Sequence, residues 1–225
     1  MLIMGGRSNV ILLSGGEKNI LIDTGTRNWR NRLERRLDIL KIEHIDHVIL
    51  THAHVDHAGN ARRMKEKYGA SVIVHRAEGP YLEKGENILP QGTNVFTRIM
   101  VNLFAKLFTR VARYEPCPYD HLVDERFDLK DFGFNAFILH TPGHTDGSVS
   151  VIVDDEVAVV GDIMIGVFKG SVFPPFANDI PLLIQSWGKL LATGCKVFVP
   201  SHGSANSREL VQKDYDRRMK ECNPI

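Results

Sequence analysis

The sequence predicts an α+β fold in which two sheets pack face to face with helices outside. Three observations lead there. Strand and helix signals are mixed in both halves of the 225-residue chain, the two halves read alike, and residues able to ligate metal stand in turns that follow strands. A chain of this length can bury one large core, and length alone calls for no second. One domain over residues 1–225 is expected, with a helical insertion or lid within 78–120.

Asn9 to Leu13 and Asn19 to Ile22 are short runs rich in Leu and β-branched residues, separated by Ser14-Gly15-Gly16, which reads as a hairpin. Asn28 to Lys41 sets Leu33, Leu37 and Leu40 at helical spacing among Arg and Glu, an amphipathic surface helix. Asp46 to Leu50 is a short buried strand, Asn60 to Tyr68 a polar helix and Ser71 to Val74 another strand. Strand signals return over Phe134 to Leu139, Ser148 to Val153 and Val157 to Val160. Pro181 to Ala192 is helical, Lys196 to Val199 a strand, and Ser207 to Glu221 a charged closing helix.

One segment stands apart. Apolar residues recur at Phe96, Ile99, Met100, Leu103, Phe104, Leu107, Phe108 and Val111, a helical stripe with Arg98, Lys106, Arg110 and Arg113 mainly off it. A core or subunit-packing helix is the plainest reading, and a homodimer through it is one consequence; a lid over the site and a membrane-surface contact are the others.

Hydrophobic residues at 43% and charged residues at 24% are ordinary for a soluble globular protein. The net charge of +1 supplies no global field to recruit nucleic acid or an anionic membrane, so any recognition must be local, and a small-molecule substrate is expected as partner rather than nucleic acid. Cys117, Cys195 and Cys222 are odd in number and contain no Cys-x-x-Cys pair, which argues against a disulfide framework or zinc ribbon and fits a reducing cytoplasm. Met1 to Gly6 lacks a signal-peptide apolar run, and no segment reaches the roughly 18 to 20 apolar residues that span a bilayer. A soluble, cytoplasmic protein without stable membrane insertion is expected.

Neutral imidazole nitrogen and carboxylate oxygen are the donors that zinc and similar cations take, and a catalytic site leaves one position open for water. His52-x-His54-x-Asp56-His57 offers four such donors in six residues at the end of a strand. Random placement of ten histidines would give that spacing with a chance on the order of one in a thousand. Beyond a strand, His52 and His54 can turn toward one ion while Asp56 and His57 curl toward another. Three more candidates follow strands: His144 in Thr141-Pro142-Gly143-His144-Thr145, Asp162 in Gly161-Asp162, and His202 in Ser201-His202-Gly203. Asp23, before Thr24-Gly25, is locally a turn residue. His44, His47, His75, His121 and His140 match no ligand position, and Lys169 reads as a solvated lysine.

On these residues the chain resembles the metallo-β-lactamase-fold superfamily, in particular its glyoxalase-II-like hydrolases. Ser8-Asn9-Val10, Leu21 to Gly25, Thr51 to Gly59, Thr141 to Thr145, Gly161-Asp162 and Ser201-His202-Gly203 follow in the family's order. The resemblance implies a four-layer αββα sandwich. It implies that His52, His54 and His144 hold one metal, that Asp56, His57 and His202 hold the other, that Asp162 bridges them, and that Asp23 lies behind the site against a ligand. Two divalent ions follow, zinc first, with iron or manganese as alternatives. Asp162 stands where lactamases of this fold often place cysteine, and His54 where the flavodiiron branch usually places Glu; both departures favour the hydrolase branch.

The expected activity is metal-dependent hydrolysis of an ester, thioester or lactone by a metal-bridged hydroxide, with Asp56 orienting the nucleophile and moving its proton. No basic and aromatic cluster of the kind glyoxalase II uses for glutathione is seen after His202, and the tyrosine expected of a quorum-signal lactonase after Asp162 is replaced by Phe168, Phe173 and Phe176. A mononuclear iron persulfide dioxygenase and a phosphodiesterase or nuclease of the same fold are the competing activities. The unmatched aromatics of 78–120 and 164–179 suggest an apolar pocket beside the metals.

Overall fold

The computed structural model describes residues 1–5, 8–87 and 89–222, with backbone alone for 104–111 and 222. The chain forms two compact units, Met1–Leu89 with Lys106–Asp124, and Pro90–Ala105 with Glu125–Ile225.

The first unit is built on a six-stranded mixed sheet in the order β1 (Leu2–Met4), β2 (Val10–Gly15), β3 (Lys18–Ile22), β4 (His47–Ile49), β5 (Ser71–His75), β6 (His121–Val123). The expected hairpin is β2–β3, turning at Gly16 and Glu17, where Gly16 takes φ +63°. From β3 onward the strands run parallel, with Ile22 level with Ile49 and Ile49 with Ile73. Val10, Leu12, Leu21, Val48, Val72 and Val74 share one core cluster with Leu33, Leu37 and Met64. Ile20, Ile22, Ile49 and Ile73 alternate with these along the strands and are equally buried, which is why the strands read as continuous apolar runs instead of alternating ones.

The helices of this unit are α1 (Arg30–Ile39), α2 (Val55–Ala58), α3 (Ala61–Tyr68) and α4 (Gly79–Lys84). Leu33 and Leu37 of α1 are fully buried, an arrangement worth about 1.5–3 kcal/mol per side chain. Leu40 drops out of the stripe because the helix has ended before it, and Lys41 at φ +57° turns the chain away.

The second unit carries a sheet in the order β12 (Asn206–Ser207), β11 (Val197–Pro200), β10 (Val157–Gly161), β9 (Val149–Val153), β8 (Ala136–His140), β7 (Arg126–Asp128). Only β10 and β11 are parallel. Ile152, Ala158, Val160 and Phe198 pack with Leu183, Trp187 and Leu190 of α6 (Ile180–Ala192) and Val211 of α7 (Arg208–Cys222). Asp179 caps α6 by accepting from the Leu182 N–H at 2.9 Å, and the buried Trp187 indole donates to the Ile163 carbonyl at 2.7 Å.

The strand read from Phe134 begins at Ala136, because Lys130–Phe132 is a 3₁₀ turn closed by Gly133 at φ +88°. The apolar stripe is a helix, α5 (Val95–Val111). A core role fails for its first half: Phe96, Ile99 and Leu103 are 76%, 53% and 74% exposed. The side chains of Phe104, Leu107, Phe108 and Val111 lie outside the described residues. Among the described residues no helix is long and apolar enough to cross a membrane.

Candidate metal centre

Every donor singled out in the sequence follows the carboxyl end of a strand, and parallel pairing explains why they gather for all but His144, which follows the antiparallel β8. Asp23 follows β3 and His52 follows β4 closely, and the Asp23 N–H donates to the Ile49 carbonyl at 2.9 Å. Parallel neighbours end on the same side, where side chains beyond the ladder are free to converge.

In the first unit His52 and His57 are fully buried and His54 nearly so, with ring centroids 4.4 Å apart for His52 and His54 and 3.9 Å for His52 and His57. His52 Nε2 and His54 Nδ1 approach to 2.8 Å. Two ligands on a tetrahedral ion with ~2.0–2.1 Å bonds sit about 3.3 Å apart, so this pair has nearly the spacing one cation demands. His57 Nε2 lies 3.7 Å from Asp56 Oδ1, a second donor pair. The other nitrogen of His57 is taken: Nδ1 donates to Asp23 Oδ2 at 2.8 Å, which fixes the tautomer and turns Nε2 outward as the lone-pair atom.

Asp23 itself is held hard. The Thr51 N–H donates to Oδ1 at 2.9 Å and the Thr51 hydroxyl to Oδ2 at 2.9 Å. These bonds sustain a buried non-glycine residue at φ +58°, a conformation that costs energy and survives where surroundings impose it.

In the second unit the same logic repeats. The Ser201 N–H donates to the Gly161 carbonyl at 3.0 Å, so Asp162 after β10 and His202 after β11 leave the sheet side by side. Asp162 Oδ2 lies 3.2 Å from His202 Nε2 and 3.8 Å from His144 Nε2. His144 Nδ1 donates to the Phe176 carbonyl at 3.0 Å, leaving Nε2 as the donor atom. These three side chains open into a cavity of about 280 Å³, whose remaining walls are Ile165, Val167, Phe168 and the run Pro174-Pro175-Phe176.

The description "Metallo-beta-lactamase superfamily" fits residues 3–202 as one family match. The chain belongs to that superfamily. It is 30% identical over 206 residues to the hydroxyacylglutathione hydrolase GloC of Haemophilus influenzae, covering 88% of this chain and 86% of that protein. It is 26% identical over 221 residues to an atrochrysone carboxyl ACP thioesterase of Aspergillus fumigatus, covering 95% of this chain and 56% of that one. The crystal structure of ST1585, a superfamily protein from Sulfolobus tokodaii, shares the fold with a TM-score of 0.68 at 22% identity over 97% of this chain and 85% of that one. The metallo-β-lactamase fold expected from the sequence is therefore the fold found, and both units carry His and Asp donors suited to a divalent cation.

Within this superfamily member, three residues that carry no sequence signal hold the His52–His57 loop. Ala53, between the first two histidines, donates its N–H to Glu78 Oε2 at 2.8 Å and receives the Tyr114 hydroxyl on its carbonyl at 2.9 Å. The Val55 N–H donates to Asn87 Oδ1 at 2.8 Å. Glu78 is 1% exposed. Burial, and then the nearby Glu78 carboxylate, push the Tyr114 hydroxyl above the ordinary phenol range, so it stays a donor. These partners lie 25, 61 and 32 residues from the positions they hold.

The remaining histidines have other duties: His47 Nδ1 meets the Ser71 hydroxyl, and His140 Nε2 donates to the Asp146 carbonyl at 2.8 Å. Lys169 is exposed. Burial raises the Cys117 thiol to about 11 and lifts that of Cys195, which suits neither to nucleophilic chemistry near neutral pH.

Proposed function

We propose that the protein is a metal-dependent hydrolase cleaving an ester, thioester or lactone bond of a small molecule, of the glyoxalase-II-like kind. His52, His54 and His144 would hold one cation and Asp56, His57 and His202 the other, with Asp162 shared, and zinc the first choice of metal. The observation that carries this reading is Asp162, whose Oδ2 stands within 4 Å of two different imidazole nitrogens, 3.2 Å from one and 3.8 Å from the other. Its counterpart is the pairing in the first unit, His52 with His54 and Asp56 with His57.

When bound, a pair of divalent cations lowers the pKa of water and polarises a carbonyl. The chain's own residues do the rest. Asp23 holds the Nδ1 proton of His57, and the Phe176 carbonyl that of His144, so that each ring presents Nε2 without rotating. Asp56, with a side chain 28% exposed, is the reachable carboxylate of the loop. It accepts the proton of the attacking water and passes it to the leaving group. The apolar walls around His144, Asp162 and His202 thin the water around the reacting bond and strengthen polar interactions there.

The test is a screen of thioesters, lactones, phosphodiesters and β-lactams with protein stripped by a chelator and reloaded with zinc, iron or manganese. Cleavage of a thioester, ester or lactone with close to two metals per chain is the expected result. One iron per chain with oxygen uptake on a persulfide would put the dioxygenase in its place, and full activity without metal would end the metal mechanism.

A further inference from the structure

The cavity beside His144, Asp162 and His202 has a chemistry of its own. Among the described residues, six of the nine that line it are apolar and none is Lys or Arg. At the apolar end, away from the His and Asp donors, burying a substrate carboxylate is costly, whereas a hydrocarbon chain loses only its contact with water. Lys169, one residue beyond Phe168, is exposed and is not part of the lining.

Two wall residues remain in solvent although they are apolar: Val167 is 61% and Phe168 56% exposed. A ligand lying in the cavity would cover them. The walls are also fixed before any ligand arrives. The Thr93 N–H and hydroxyl donate to the Pro175 and Pro174 carbonyls, each at 3.0 Å, and the Ala177 N–H donates to the Gln91 carbonyl at 2.9 Å. On the opposite flank the Gly166 N–H donates to the His202 carbonyl at 2.7 Å. A cavity whose backbone is preformed binds at a smaller ordering cost.

We infer that this cavity receives the uncharged, medium-chain apolar acyl group of the substrate. The identification of the tail as an acyl group rests on the hydrolase reading above. At about 30 Å³ per water-sized group, a volume of about 280 Å³ holds roughly nine such groups. With the reacting carbonyl and the cations that the donors would hold occupying the polar end, a chain of about six carbons fills the remainder.

The experiment measures kcat/KM of the zinc-loaded protein on N-acetylcysteamine thioesters of acetate, butanoate, hexanoate, octanoate and succinate. A rise of roughly fourfold per methylene up to hexanoate is expected, then a plateau. Succinate should fall at least tenfold below butanoate. Phe168→Ala should cut the hexanoate-to-acetate ratio about tenfold, and Phe168→Lys should raise succinate relative to butanoate. Calorimetric binding of hexanohydroxamate and of adipic monohydroxamate gives a readout independent of turnover, with the uncharged tail expected to bind at least tenfold tighter. A flat chain-length profile, succinate equal to butanoate, or equal binding of the two hydroxamates overturns the inference while cleavage itself leaves the hydrolase reading in place. No cleavage of any thioester, with the hydroxamate preference intact, excludes thioesters from the hydrolase reading and leaves the apolar-tail site standing.

Discussion

Removing one oxygen atom far along the chain from the histidines should weaken metal binding. In Tyr114→Phe the ring stays in its buried place, but the Ala53 carbonyl loses the hydroxyl that lies 2.9 Å away. Ala53 is itself fully buried, and a buried acceptor deprived of its donor costs about 1–3 kcal/mol. Ala53 connects His52 to His54, so the loss falls on the peptide that sets the angle between those two rings. If about 1.4 kcal/mol of it is borne by the metal-competent geometry, zinc affinity falls tenfold, within the about 10–100-fold range known for partners that orient metal ligands. Glu78→Ala removes the carboxylate acceptor of the N–H of the same residue, on the preceding peptide group, with an expected loss toward the upper end of that range, and Glu78→Gln, which keeps an oxygen, should recover most of it. The double variant should be non-additive, since both partners act on one residue. Competitive zinc titration against a chelator, paired with urea unfolding of the metal-free protein, separates affinity from stability. If Tyr114→Phe lowers stability and leaves zinc affinity within twofold, the loop is not positioned by this bond and the reasoning fails.

Four further outcomes are expected. Asp162→Ala should reduce bound metal from near two per chain to one or fewer and kcat/KM by more than a hundredfold; elemental analysis showing two metals retained would contradict the shared-carboxylate role. Gly143→Ala should destabilise by about 2–4 kcal/mol in urea, because Gly143 has φ +130° and an added Cβ would stand 2.4 Å from the Leu183 Cα; an unchanged midpoint would be the contrary result. Arg63 holds the Glu34 carboxyl down to about 2 by a side-chain hydrogen bond, against burial and with help from Lys67. A lowered folded-state pKa contributes stability above the unfolded glutamate value of roughly 4.3 that is lost as pH falls toward 2, so Glu34→Gln should flatten that part of the stability curve, by under about 1 kcal/mol for so accessible a pair; parallel curves would refute it. Replacing Phe96, Ile99 and Leu103 together by Ser should change stability by no more than about 0.5 kcal/mol per site, since all three are exposed; we propose a homodimer through α5, which sedimentation would then show dissociating, and a larger stability loss would restore the core role that exposure argues against.

How much was legible in advance differs by residue for physical reasons. His52, His54, Asp56 and His57 stand within six positions, so their proximity is a property of local chain geometry. β1, β6 and β7 have three residues each and β12 two, too few for a period of two to register, whereas the equally short β4 showed because Leu50 extends its apolar run. Helix α4 escaped because only Gly79 and Leu82 of its six residues are buried, which leaves no stripe to count. The stripe from Phe96 misled because periodicity reports that a face is apolar and is silent on what covers it.

The candidate donors, their placement after strands and the family are legible in the order of residues alone, since strand ends and ligand types are written locally. What holds those donors in place emerges only once the chain is folded. Asp23 reaches His57 across 34 residues, Tyr114 reaches Ala53 across 61 and the Phe176 carbonyl reaches His144 across 32. A hydrogen bond closes at about 2.9 Å in space whatever the separation along the chain, so no pattern of neighbouring letters can announce it. The same holds for the exposed Phe168 and the cavity beside it, whose walls come from separate turns brought level by the parallel register of β10 and β11.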